Sequence, residues 1–174
     1  MRAAAHLGAG LLLLAAAAGP AMAQANYAKD KTQSFAQQAA GQDQYEIQAG
    51  RVAVQQAQDP RVRDFAQTMI RDHTRTTEAL KAAVTRSGRE PPNEAVNGDL
   101  VMMLSALQSQ KGAEFDKAYM NQQVVAHHGA LATQEGYAQT GDDPAVRQTA
   151  QSAVPMVRMH LEQAEQLKQA LGGE

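Results

Sequence analysis

The chain has 174 residues and a formal net charge of −2, and 47 of the 151 residues from Gln24 onward are Ala or Gln. It contains no Cys, no Trp, four Tyr and three Phe, which excludes disulfide scaffolds, zinc–thiolate sites, cysteine nucleophiles and thiolate-held haem or iron–sulfur clusters. The acidic balance gives no electrostatic support for nucleic-acid binding, and Ala and Gln favour helix over strand.

Met1–Ala23 reads as a secretory signal peptide. Arg2 and the amino terminus form a thin positive region, Leu7–Ala18 is apolar, Gly19-Pro20 breaks it, and Ala21-Met22-Ala23 supplies small residues before a cut ahead of Gln24. The apolar run is short of the ~20 residues that span a bilayer. No lipobox cysteine is present, and no later stretch has the length and apolarity of a membrane span. The expectation is a soluble exported chain, periplasmic if the source is Gram-negative, with residues 24–174 forming one domain.

Four long helical segments follow in order. The first runs from Lys31 to about Gln58. Asp59-Pro60 then supplies an N-cap with Pro at the first helical position, and a second helix extends to about Ser87. Gly88–Gly98 reads as a loop with Pro91-Pro92 and Asn97-Gly98, after which Leu100, Met103, Leu104 and Leu107 mark a short helix. The third long helix starts near Ala113 and ends near Thr140. Asp143-Pro144 repeats the earlier start signal, and the fourth continues through Pro155 to about Leu171, where Gly172-Gly173 stops it.

The two Asp-Pro starts belong to a longer repeat. Residues 59–67 match residues 143–151 at six of nine positions, 84 residues apart, so the chain reads as two helical hairpins. Their connection, Gly88–Gly112, has 25 residues, where antiparallel neighbours need only ~2–8. That length can travel back along a helix, so the expected fold is an all-α, ferritin-like four-helix bundle with a long crossover between the second and third long helices.

Three of the histidines after the leader fall on interior stripes: His73 with Phe65, Met69 and Leu80, His127 with Met120, Val124 and Leu131, and His160 with Met156, Val157, Ala164 and Leu167. The first helix offers Glu46 among Phe35, Ala39, Ala49 and Ala53. Glu46 lies 13 residues before Asp59 and His73 14 after it; His127 lies 16 before Asp143 and His160 17 after it. Each pair therefore faces itself across its own hairpin to within ~1.5 Å of rise. With the two turns at opposite ends, both pairs meet near mid-height.

Buried ionisable groups are costly unless paired or metal-bound, and neutral imidazole is a common metal ligand. The expectation is one transition-metal ion, Fe, Cu, Zn or Mn, held by Glu46, His73, His127 and His160. The alternative is a buried Glu–His hydrogen-bond cluster without metal, in an envelope stress or adaptor protein. The Glu-x-x-His pairs of carboxylate-bridged di-iron bundles are absent, because Ile70 and Val157 stand three before His73 and His160. Ferroxidase or oxygenase chemistry is therefore unsupported, and no catalytic residue is assigned. Met69, Met120 and Met156 share the histidine stripes; they offer either thioether ligands, which favour copper, or flexible core filling. Asp72 points ~100° away from His73 around the helix and reads as a surface or supporting residue. Asp116 reads as a first-turn carboxylate of the third long helix, ~16 Å along the axis from His127.

The order Phe35, Ala39-Ala40, Glu46, Asp59-Pro60-x-Val62-x-x-Phe65-Ala66-x-x-Met69-x-x-Asp72-His73 is similar to the opening of the exported domain of unknown function 4142. Gly112-x-x-Phe115-Asp116-x-x-Tyr119, Gln123-Val124-x-x-His127 and Pro155-x-x-x-x-His160-Leu161 resemble its middle and end. The resemblance covers about Lys31–Leu171. It implies a ferritin-like helical bundle and export but no settled activity. It also implies recurring polar positions at Glu46, Asp72, His73, Asp116, His127 and His160.

Overall fold

A computed structural model describes residues 30–96 and 98–172. The expected signal segment, Asn97 and Gly173 lie outside the described residues. The described residues form five helices and no strand: α1 (Lys31–Gln56), α2 (Pro60–Arg86), α3 (Asp99–Ser109), α4 (Gly112–Thr140) and α5 (Pro144–Ala170). Four are long, and the short α3 lies in the connection between the hairpins. No helix among the described residues is long and apolar enough to cross a membrane.

The helix starts follow from their caps. The side chain of Asp30 accepts from Gln33 N, that of Asp59 from Arg61 N, and that of Asp143 from Ala145 N and Val146 N. Each satisfies amide donors that a helix start leaves without partners. Pro60 and Pro144 occupy the first helical positions, where a missing N–H costs nothing. The repeat seen in the sequence is a repeated turn. Arg63 donates to Ala57 O at 2.6 Å, and its counterpart Arg147 donates to Gly141 O at 2.6 Å. Val62 and Val146, and likewise Ala66 and Ala150, are fully buried.

The hairpins pack so that α1 lies against α2 and α4, and α5 lies against α2 and α4. The connection runs the length of α1. Glu90 O accepts from Gln33 near the start of α1, while Lys111 reaches Gln56 at its last residue. Between them, Gln37 both donates to Asn93 O and accepts from Asn93 N, and Gln44 donates to Glu94. The abundance of glutamine on α1 thus has a structural use: four side-chain amide contacts hold an extended segment that has no sheet of its own. The two short turns, at 57–59 and 141–143, lie at opposite ends of the bundle. Asp116 belongs to the first of these ends. It is buried and accepts from Gln58 N and Asp59 N at 2.8–3.2 Å, so its carboxylate stabilises the α1–α2 turn.

The core comes in two blocks. One holds Ala49, Val62, Phe65, Met69, Leu107, Phe115, Tyr119 and Met120 near the α1–α2 turn. The other holds Phe35, Ala39, Leu80, Val84, Tyr137 and Val146 near the α4–α5 turn. Between them lies a buried polar layer of Asp43, Glu46, His73, Thr77, Gln123, His127 and His160.

Candidate metal centre

Three helices each aim one imidazole into that layer: His73 from α2, His127 from α4 and His160 from α5. All three are buried, and each pair of ring centroids is 5.6 Å apart. One nitrogen of each ring has a partner. His73 Nδ1 donates to Asp43 Oδ1 at 2.8 Å, His127 Nδ1 to the carbonyl of Gln123 at 2.9 Å, and His160 Nε2 to Asp72 Oδ2 at 3.2 Å. A carboxylate or carbonyl only accepts, so the proton sits on the histidine nitrogen in each contact. The opposite nitrogens, His73 Nε2, His127 Nε2 and His160 Nδ1, are buried without a hydrogen-bond partner. One nitrogen from each ring lies within 4.8 Å of its counterparts in the other two. The residues could therefore hold a metal ion.

Burial dominates the electrostatics. Desolvation, reinforced by the charges of His73 and His160, pushes His127 down to about 3. Desolvation with the charge of His73 pushes His160 down to about 4 against the help of Asp72. His73 behaves differently. Burial works against its charged form, but the hydrogen bond and charge of Asp43, with Glu46 and Asp72, raise it above the ordinary imidazole value. Asp72 is held below the usual carboxylate range, because the Arg71 guanidinium and His160 outweigh its partial burial.

Glu46 is buried in the same layer but faces another way. Its Oε2 accepts from Gln123 Nε2 at 2.7 Å, and its Oε1 lies 3.6 Å from His127 Nδ1, the nitrogen that donates to the Gln123 carbonyl. Burial pushes its carboxyl up to about 7. The spacing argument placed Glu46 opposite His73, and at that height α1 presents two carboxylates. Three residues on a helix turn through 300°, so Glu46 is rotated 60° from Asp43. That rotation puts Asp43 on the seam with α2 and Glu46 on the seam with α4.

The sequence reading missed Asp43. Its signal was available: Thr76 and Thr77 follow His73 by one turn, and an acid on the facing helix at that height has hydroxyl partners waiting. Asp72 supports His160 from the edge of the layer. Met69 and Met120 are fully buried core residues of the block near the α1–α2 turn. Met156 instead lines an open groove of about 630 Å³ between α2 and α5, whose wall includes Asp43 and Asp72.

The fold resembles two solved structures. CopM in the Cu(I)-bound form superposes with a TM-score of 0.70 at 22% identity, over 82% of this chain and 98% of that one. A DUF305 fragment from Deinococcus radiodurans superposes with a TM-score of 0.67 at 17% identity, over 81% of this chain and 95% of that one. At such identities the likeness concerns the fold. No curated protein sequence matches the chain. Residues 17–167 match the model of the domain of unknown function 4142, which covers most of the sequence, and the chain belongs to that family.

Proposed function

We propose that this protein is an exported, ferritin-like helical bundle that binds one transition-metal ion in its polar layer, for storage or protection in the envelope rather than for catalysis. His73 Nε2, His127 Nε2 and His160 Nδ1 are the ligand atoms. Glu46 lies in the same layer, 3.6 Å from the outer nitrogen of His127, and supports the site from that side. The observation that carries this reading is that three buried histidines bring one nitrogen each within 4.8 Å of the other two, while each ring keeps one buried nitrogen without a partner and has its other nitrogen held by a hydrogen bond. An unpartnered buried polar atom costs about 1–3 kcal/mol, and three meeting at one point share one remedy. The arrangement in which a carboxylate or carbonyl holds the outer nitrogen is the usual support of a metal-binding histidine. Metal–nitrogen bonds of about 2.0–2.1 Å would draw the rings inward from their present separation. Donor chemistry without sulfur suits Cu, Zn or Fe through imidazole better than it suits ions that prefer all-oxygen sites. The Cu(I)-bound form of CopM shows that a related fold accommodates copper, so Cu(I) and Zn(II) are the first ions to assay.

The up-down-down-up order, with a crossover along α1, supports placing the chain among ferritin-like bundles, and the leader-like Met1–Ala23 supports export. The hydrogen-bonded cluster without metal is the weaker reading, because the converging nitrogens have no hydrogen-bond partners. The test is elemental analysis and anaerobic titration of protein beginning at Gln24, purified without a histidine tag. Stoichiometric binding of one ion, lost on His73→Ala and on His160→Ala with folding retained, is the expected result. Failure to take up any transition metal from solution overturns the proposal.

A further inference from the structure

The three imidazoles are not supported alike. His127 leans on a neutral backbone carbonyl. His160 leans on Asp72, whose charge is met by Arg71 at 2.8 and 3.1 Å and by Arg75 at 4.0 Å. His73 leans on Asp43, which is buried and holds the ring at 2.8 Å. The other oxygen of Asp43 accepts from Thr76 Oγ1 at 2.8 Å and Thr77 Oγ1 at 3.0 Å. Among the described residues no Lys or Arg forms an ion pair with Asp43; its only charged-type contact is His73. Hydroxyls stabilise a carboxylate by hydrogen bonding but leave its net charge in place.

The local geometry explains how this charge is aimed. Thr76 and Thr77 follow His73 by three and four residues, so α2 supplies both the ring and the two donors one turn below it. The carboxylate reaches in from α1. With Oδ2 fixed by two hydroxyls, Oδ1 is left to face the ring. An uncompensated negative charge then sits directly behind one ligand of the centre. Its attraction for an ion in front of that ring grows in proportion to the ion's charge, and a carboxylate behind an imidazole also strengthens it as a donor.

Resting on the metal-binding reading above, we propose that Asp43 is a positioning residue that sets the charge preference of the centre, favouring a divalent over a monovalent ion. Asp72 lacks this role because Arg71 already offsets it. Glu46 lacks it because its carboxyl stands beside Gln123 and the outer nitrogen of His127, not behind a ring that it holds by hydrogen bond.

The experiment compares Zn(II) with Cu(I), the latter under anaerobic conditions, by competition with chromophoric chelators against tag-free protein beginning at Gln24. Asp43→Asn keeps the shape and an oxygen acceptor for His73 but removes the charge. It is expected to weaken Zn(II) binding by about 10–100-fold and Cu(I) binding by about the square root of that factor. Asp43→Glu keeps the charge and is expected to keep the wild-type ratio of the two affinities even where both fall. Thr77→Val loosens the carboxylate without removing it and is expected to lower both affinities by similar factors. Asp72→Asn is expected to leave the ratio near wild type. Circular dichroism monitors folding; should Asp43→Asn not fold, Asp43→Ser, which retains a smaller acceptor, takes its place. Equal factors for both ions in the charge-removing variant, or no change in either, overturn the assignment of Asp43 while leaving the metal centre standing. Wild-type protein that binds neither ion overturns both.

Discussion

Glu46 and the two histidines His127 and His160 respond to burial in opposite directions, since desolvation favours the neutral form of each. Glu46, raised to about 7 from 4.5, contributes stability that is fully present below the unfolded value and lost as pH rises through about 7. His127 and His160, lowered to about 3 and about 4 from 6.5, contribute stability that is present above the unfolded value and lost as pH falls toward those folded values. His73 is raised, so below 6.5 it is charged in both states and adds almost no slope. Between about pH 6 and 5 the folded, metal-free protein therefore holds about two protons fewer on the histidines and about one more on Glu46 than the unfolded chain does, so stability drops as the pH is lowered through this range and rises as it is raised. Glu46→Gln removes the opposing proton. The slope of the urea midpoint against pH over this range should steepen, to about twice the wild-type value; an unchanged slope in the variant would show that Glu46 is ionised throughout. His127→Leu makes a second prediction at the same scale. It deletes a nitrogen that has no partner and one whose partner is a helix carbonyl, so no new orphan is created. Metal-free stability should stay within about 1 kcal/mol of wild type or rise, while metal uptake is lost. A large loss of stability, measured by denaturant unfolding, would mean that the ring supports the fold itself.

The helices show which features of this chain were legible without coordinates. The Asp-Pro starts, the crossover and its short helix, and the mid-height meeting of His73, His127 and His160 all follow from spacing, because caps and helical rise are local properties that tertiary context leaves nearly intact. The seam of each side chain is harder. Glu46 and Asp43 differ by 60° around α1, and an alanine-rich helix whose few bulky residues, Phe35, Tyr45 and Ile47, are all buried does not say from sequence which seam faces which neighbour. The task assigned to Asp116 needed the same tertiary knowledge, since its partners are amides nearly 60 residues away. At Gly50, α1 and α2 approach each other closely. A Cβ there would lie 2.9 Å from Ile70 Cγ1 and 3.0 Å from Ala66 O. Ile70 can rotate, but the α2 carbonyl cannot move without shifting the helix. Alanine gains about 1 kcal/mol of intrinsic helix propensity over glycine, and overpacking costs about 1–3 kcal/mol. Gly50→Ala should therefore be neutral to destabilising, and Gly50→Val clearly destabilising, by thermal unfolding. A stabilised Gly50→Ala variant would mean that the two helices separate at little cost.

A polar layer that divides an apolar core leaves the two core blocks joined mainly by the helices that pass through both. The unpartnered nitrogens come from α2, α4 and α5, and α1 contributes through Asp43, so an ion at their centre would tie all four long helices at mid-height. Metal that binds only the folded state stabilises it by about 4 kcal/mol at a thousandfold excess over Kd. For a chain of this length that corresponds to a rise in Tm of about 8–16 °C. The gain should be global, because the ligands lie on separate helices and cannot stay assembled in a partly unfolded chain. Hydrogen exchange should accordingly slow in the central turns of α2, α4 and α5, while α3, which contributes no ligand and packs mainly on α1 and α4, changes least. Thermal unfolding with and without Zn(II), followed by exchange measurements on both forms, checks this. Protection gained chiefly in α3, or a Tm rise that persists in His73→Ala, would place the ion elsewhere on the molecule and leave the polar layer as a purely structural seam.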